Sequence, residues 1–216
     1  MLLSIMLLSI SMKSPVYKYI DVWLVELVAA SREAAFSVRG LFALQLSAVV
    51  RSARGWQHLG LRVHIVTNLG RTQSPRSEPL PPLDPSIENV GVGRPPEERL
   101  EELLKLLRIN ATVHTVTDWP SLEDPSSLDP LDPDDSSIYN RIPHSYMNKV
   151  NSIIKSRCED GTAVTFIQLP PPPRVSNDPE DDAVCEQYLK VLDEFTKDLC
   201  PTILVRGFKT VTSTAL

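Results

Sequence analysis

The sequence predicts an α/β domain built on a five-stranded, doubly wound, mostly parallel sheet with helices on both faces. Five short segments rich in Val and Ile have the look of strands buried on both sides. Helical patterns with apolar faces separate them, giving the order β-α-β-α-β-α-β-α-β. The chain has 216 residues, 42% of them hydrophobic, enough for the core of one domain.

The predicted strands are Tyr19–Val25, Leu61–Val66, Thr112–Val116, Ala163–Leu169 and Thr202–Arg206. The first predicted helix, Ser37–Arg54, has Leu41, Leu44, Ala48 and Val49 on a wide apolar face, with Ser37 as N-cap and Gly55 as the stop. The second, Glu97–Arg108, carries Leu100, Leu103, Leu104 and Leu107 at i, i+3, i+4, i+7. Pro95 and Pro96 open it, where a missing N–H costs nothing, and Glu97 and Glu98 suit the helix dipole. A third helix spans Pro143–Arg157, with Met147, Val150 and Ile154 on one face. A fourth spans Asp181–Leu199, with Val184, Tyr188, Val191, Leu192, Phe195 and Leu199 inward and Pro201 forbidding its continuation.

The chain divides into an apolar stub, residues 1–15, and the α/β domain, residues 16–216. The stub, beginning Met-Leu-Leu-Ser-Ile, is shorter than the roughly 20 apolar residues that span a bilayer. It also lacks the basic start and small-residue cleavage site of a secretory signal. Nineteen prolines against eight glycines concentrate in long connections. Residues 70–95 and 118–137 are rich in Pro, Ser and charge and are expected to be disordered loops. Pro170–Pro173 is expected to be stiff and extended.

The net charge of -5 and the lack of a basic stripe exclude a nucleic-acid footprint. Cys158, Cys185 and Cys200 are widely spaced with no CxxC pair, so neither a zinc site nor a disulfide framework is indicated, and free thiols in a reducing compartment are expected. A doubly wound sheet that binds a dinucleotide or nucleotide needs a glycine-built turn after its first strand. Here no glycine follows Val25 until Gly40, and Gly91-Val-Gly93 lies far from a strand end. His64 and His114 fall inside strands and read as core or sheet-surface residues, while His58 and His144 stand in no catalytic motif. The acids of 118–137 and Asp178–Asp182 form solvated runs rather than converging ligands. The sequence therefore assigns no catalytic, cofactor-binding or metal-binding residue, and the chain is expected not to be an enzyme. Asn110-Ala-Thr112 reads as a chance sequon. Thr214-Ala-Leu216 has the form of a terminus that a PDZ-type partner captures.

Two blocks carry a family resemblance. The first is Tyr19-Ile-Asp-Val-Trp23, a helix, then Leu61-Arg-Val-His-Ile65. The second is Met147-Asn-Lys-Val-Asn151, the strand Val164–Leu169 running into Pro170-Pro-Pro-Pro-Arg174, Tyr188-Leu-Lys-Val-Leu192 and Ile203-Leu-Val-Arg-Gly207. Over residues 16–216 the chain resembles the cytosolic C-terminal domain of the cation-chloride cotransporters, solute carrier family 12. Its ending, Val211–Leu216, is most similar to the member 9, cotransporter-interacting branch. One segment departs from the family: Leu24–Ser37 replaces a second tryptophan and an acidic, glycine-containing stretch.

The resemblance implies a universal-stress-protein-like lobe on the cytosolic face of a membrane transporter that moves chloride as a symporter. The lobe would support dimerisation and regulation. Its implied partners are other copies or related cotransporter subunits and the rest of the parent protein. The ion sites of the family lie in membrane helices, so no ion-binding residue is carried over. A fragment expressed alone would be cytoplasmic. Two other readings stand beside this one: a free-standing nucleotide-binding module, and a scaffold read through its tail and proline runs.

Overall fold

The computed structural model describes residues 17–28, 34–67, 94–120, 138–158, 161–173 and 181–207. The stub, most of the two long loops, Gly91-Val-Gly93 and the C-terminal tail lie outside these residues.

Five strands form one parallel sheet: β1 (Tyr19–Trp23), β2 (Gly60–Val66), β3 (Thr112–Val116), β4 (Thr162–Gln168) and β5 (Thr202–Val205), in the order β3-β2-β1-β4-β5. The helices are α1 (Val38–Ser52), α2 (Pro96–Leu106), α3 (Ile138–Arg141), α4 (His144–Cys158) and α5 (Asp181–Thr196). The predicted α/β class, parallel pairing and alternation are all present.

Side chains alternate across each strand, and both faces are covered. On one face Ile20, Val22, Leu61, Val63, Val164 and Phe166 pack with Leu41 and Leu44 of α1 and Leu100, Leu103 and Leu104 of α2. On the other, Trp23, Val66, Val116 and Ile167 pack with Met147, Val150 and Ile154 of α4 and Tyr188, Val191 and Phe195 of α5. The crossovers after β1 and β2 cover the first face and those after β3 and β4 the second. The strand order reverses between β1 and β4.

Several boundaries differ from the sequence expectation for identifiable reasons. Helix α1 ends at Ser52, where Ala53 turns to an extended conformation, so Gly55 is not its stop. Helix α5 ends at Thr196 rather than Leu199. The Asn151 side chain of α4 donates to the Phe195 and Lys197 carbonyls, at 2.9 and 3.0 Å, and Asp198 turns left-handed at φ 54°. An orphaned helix C-terminus is thus satisfied from a neighbouring helix before Pro201 is reached. The one-turn helix α3 and a 3-10 turn at Ala34–Phe36 have no counterpart in the sequence expectation. None of the described helices is long and apolar enough to cross a membrane.

Candidate functional site

In an open α/β sheet, ligands bind beyond the carboxyl ends of the strands where the order reverses. Next to that place, between β1 and β4, the chain's own residues pack closely. After Trp23 the backbone continues through Leu24, Val25, Leu27 and Val28, all buried.

The 3-10 turn then sits directly against the first turn of α1. A Cβ on Gly40 would lie 2.4 Å from the Ala34 carbonyl oxygen and 2.9 Å from that of Ala35. Glycine is required here for close approach of the chain's own backbone, not for a phosphate. Ser37 is the N-cap, as the sequence indicates: its Oγ accepts from the Gly40 N–H at 3.1 Å and donates to Ala34 O at 2.8 Å. From the end of β4, Gln168 Nε2 donates to the same Ala34 oxygen at 3.4 Å. One N–H of the helix's first turn, that of Gly40, is thereby satisfied by the Ser37 hydroxyl.

Beside the reversal point the proline run is fixed by two tyrosines. Tyr188 Oη donates to Pro170 O at 3.0 Å, and Tyr139 Oη donates to Pro171 O. The two rings meet edge to face with centroids 5.0 Å apart. Burial pushes both phenols above their ordinary range, so both remain donors. The Ile203-Leu-Val-Arg-Gly207 block ends against α1: a Cβ on Gly207 would meet Phe42 at 2.6 Å.

The second face of the sheet carries a polar row through its apolar layer. Parallel register sets Arg62 beside Asp21 and Asp21 beside Thr165. Asp21 is fully buried. Arg62 grips it with both arms, Nε to Oδ1 at 2.6 Å and Nη2 to Oδ2 at 2.8 Å. Thr162 Oγ1 donates to Oδ2 at 2.7 Å. His64 Nε2 stands 3.4 Å from Oδ1, an electrostatic contact without hydrogen-bond alignment. Burial alone would raise the Asp21 carboxyl, but His64, Arg62 and Thr162 outweigh it and hold it below the usual carboxylate range. Arg62 Nη2 also donates to the Arg157 carbonyl near the end of α4, at 3.0 Å, and its guanidinium lies 4.2 Å from the Tyr19 ring centroid. The pair ties three strands to one helix.

Two residues along on the same face, His114, His64 and Trp23 form a stacked ladder, with centroid separations of 5.3 and 4.4 Å. His64 is buried and His114 half-buried, as a core and a sheet-surface histidine should be. Burial, with the charges of His64 and Arg62, lowers His114 below the ordinary imidazole range. His144 is exposed and pairs with Glu194 at 2.7 Å. Among the described residues no three His, Cys, Asp or Glu side chains converge as metal ligands. A concavity of about 500 Å³ is lined by Leu104, Lys105, Arg108, Asn110 and Thr112. It opens near the start of β3, away from the carboxyl ends of the strands.

The sequence reading named no site residue, and it missed the buried Asp21–Arg62 pair. A signal existed: one acid and one base stand inside two strands that are otherwise apolar. The register that joins them across 41 residues is a property of the sheet.

No protein-family model matches the sequence. The chain is 31% identical over 201 residues to solute carrier family 12 member 9 of Xenopus laevis, covering 92% of this chain and 20% of that protein. It is 29% identical over 197 residues to solute carrier family 12 member 9 of Danio rerio, covering 91% of this chain and 18% of that protein. The chain thus spans about one fifth of the length of the curated relatives it matches. The matched stretch takes in nearly all of the fold described above, so the chain is similar to solute carrier family 12 member 9 along almost its whole length.

Proposed function

We propose that this chain is a cytosolic regulatory and dimerisation domain of a cation-chloride cotransporter-like membrane protein, and that it works by binding rather than by catalysis. The observation that carries the reading is the similarity to member 9 proteins along almost the whole chain. The geometry supports it. A five-stranded sheet covered by helices on both faces is suited to presenting a rigid surface. Chloride movement, coupled to a cation, belongs to the parent protein, whose membrane helices provide the path that this domain lacks. The partners are a second copy, a related cotransporter subunit and the membrane part of the parent.

Sedimentation of the purified chain tests the assembly part. A chain of 24.1 kDa that dimerises runs at about 48 kDa. A species that stays at the monomer mass up to concentrations of roughly 100 μM removes self-association from the proposal, since complexes weaker than that fall below ordinary specific interfaces.

A further inference from the structure

Cys158 and Cys200 stand 42 positions apart, yet the fold brings both sulfurs onto one hydroxyl. Cys158, the last residue of α4, has its Sγ 3.3 Å from Thr165 Oγ1. Cys200, which leads into β5, has its Sγ 2.9 Å from the same oxygen. The two sulfurs therefore lie within about 6 Å of each other. Both are thiols, as is Cys185 on α5. Cys158 is buried, Cys200 is half-buried and Thr165 has no exposed surface. Cys200 is thus the more accessible residue of the pair.

We propose that Cys158 and Cys200 form a redox-sensitive dithiol that a peroxide closes to a disulfide, fastening the end of α4 to the start of β5. Cys200 is the attacking group and Cys158 the resolving one. A proton shared from the Cys158 thiol, with the Thr165 hydroxyl, favours the Cys200 thiolate and lowers Cys200. Donation to Cys200, with burial, raises Cys158. A half-exposed thiolate beside a second thiol is the arrangement found at oxidisable cysteines.

The Cys200 thiolate attacks one oxygen of hydrogen peroxide and breaks the O–O bond. Hydroxide leaves, takes up the proton the thiol released and becomes water, and Cys200 becomes a sulfenic acid. Cys158 sulfur then attacks the Cys200 sulfur. The S–O bond breaks, the hydroxyl leaves as water with the Cys158 proton, and the disulfide remains. Two thiols have given two electrons to one peroxide. Closure to the S–S length of about 2.05 Å needs side-chain rotation and a small approach of α4 to β5. Thiols of the cytosol would reopen it.

The experiment treats the 216-residue chain with hydrogen peroxide under native conditions, followed by thiol counting and peptide mapping by mass spectrometry. The expected result is loss of two of the three thiols, a mass decrease of about 2 Da and one cross-linked peptide pair, Cys158 with Cys200, all reversed by dithiothreitol. Cys185→Ser keeps this result, and Cys200→Ser abolishes it while leaving Cys158 reduced. Thr165→Val slows the reaction several-fold. The cross-link is also lost when the chain is oxidised in concentrated urea, where the pairing becomes mixed. The proposal is overturned if oxygen atoms add to Cys158 or Cys200 without a cross-link. It is equally overturned if Cys185 is consumed first, or if all three thiols survive peroxide that oxidises free cysteine.

Discussion

Arg62→Met removes the charge that faces a fully buried carboxylate while keeping most of the side chain's volume. Asp21 retains Thr162 and the weaker contact with His64, but both Arg62 hydrogen bonds, at 2.6 and 2.8 Å, are gone. The Arg157 carbonyl loses its donor, and the Tyr19 ring loses its cation. Breaking a buried ion pair from one side costs about 3–5 kcal/mol, because the remaining charge is left without compensation. Arg62 is itself 12% exposed, which favours the lower end. A loss of about 3 kcal/mol corresponds to a fall in Tm of roughly 6–12 °C for a chain of this size. Urea titration followed by tryptophan fluorescence measures it directly.

The pH dependence separates this cause from simple loss of packing. In the parent chain Asp21 lies below its unfolded value, so its contribution is present above that value and fades as pH falls through the folded one. In Arg62→Met the unpaired, buried carboxyl is raised instead, so protonation relieves the strain as the solution becomes more acidic. The stability gap between the two chains should therefore shrink between pH 7 and pH 4. A cost under about 1 kcal/mol, or a gap that stays constant over that range, would falsify the assignment of Asp21 and Arg62 as the electrostatic anchor of the sheet.

Three further outcomes follow from the same geometry. Gly40→Ala forces the 3-10 turn away from α1 and should cost about 1–3 kcal/mol by thermal melting, since the obstructing atoms are backbone; an unchanged Tm would show the turn to be loosely held. Asn151→Ala strips the cap from the end of α5 and should cost about 1 kcal/mol, with faster amide exchange in its last turn; uniform exchange would place the stop elsewhere. Calorimetry with ATP or AMP should give no saturable heat, because no glycine-built turn follows β1 and the Ser37 hydroxyl already takes the Gly40 N–H; a clear binding isotherm would revive the nucleotide-module reading.

The strands were legible because Val and Ile runs such as Leu61–Val66 and Ala163–Gln168 admit one structure when both faces are buried. The helix starts were legible where capping chemistry is local, as at Ser37 and at Pro95–Pro96. The ends failed where the deciding group is remote in sequence. Asn151 stops α5 from a different helix, and nothing between Asp181 and Pro201 encodes that contact. The turn at Ala34–Phe36 was hidden for the same reason, since what it does depends on Gly40 and Gln168 lying against it. The missing glycine loop after β1 is plain in the sequence, but the contacts of Ala34 with Ser37 and Gln168 are made by the fold. Wide cysteine spacing likewise concealed a shared partner for Cys158 and Cys200, because proximity there is made by the α4–β4–β5 packing. The family was legible in short blocks whose residues have physical roles here: Asp21 anchors the sheet, Tyr188 holds the proline turn and Gly207 admits Phe42.

Exchange into a full-length relative tests the proposed role most directly. The segment of the Xenopus laevis member 9 protein that matches this chain would be replaced by residues 16–216, and subunit association in membranes would be measured by cross-linking beside the unaltered protein and a deletion of that segment. The account predicts that the exchanged protein associates as the unaltered one does, while the deletion associates less. An exchanged protein indistinguishable from the deletion, with both at the cell surface and the chain folded, would contradict it.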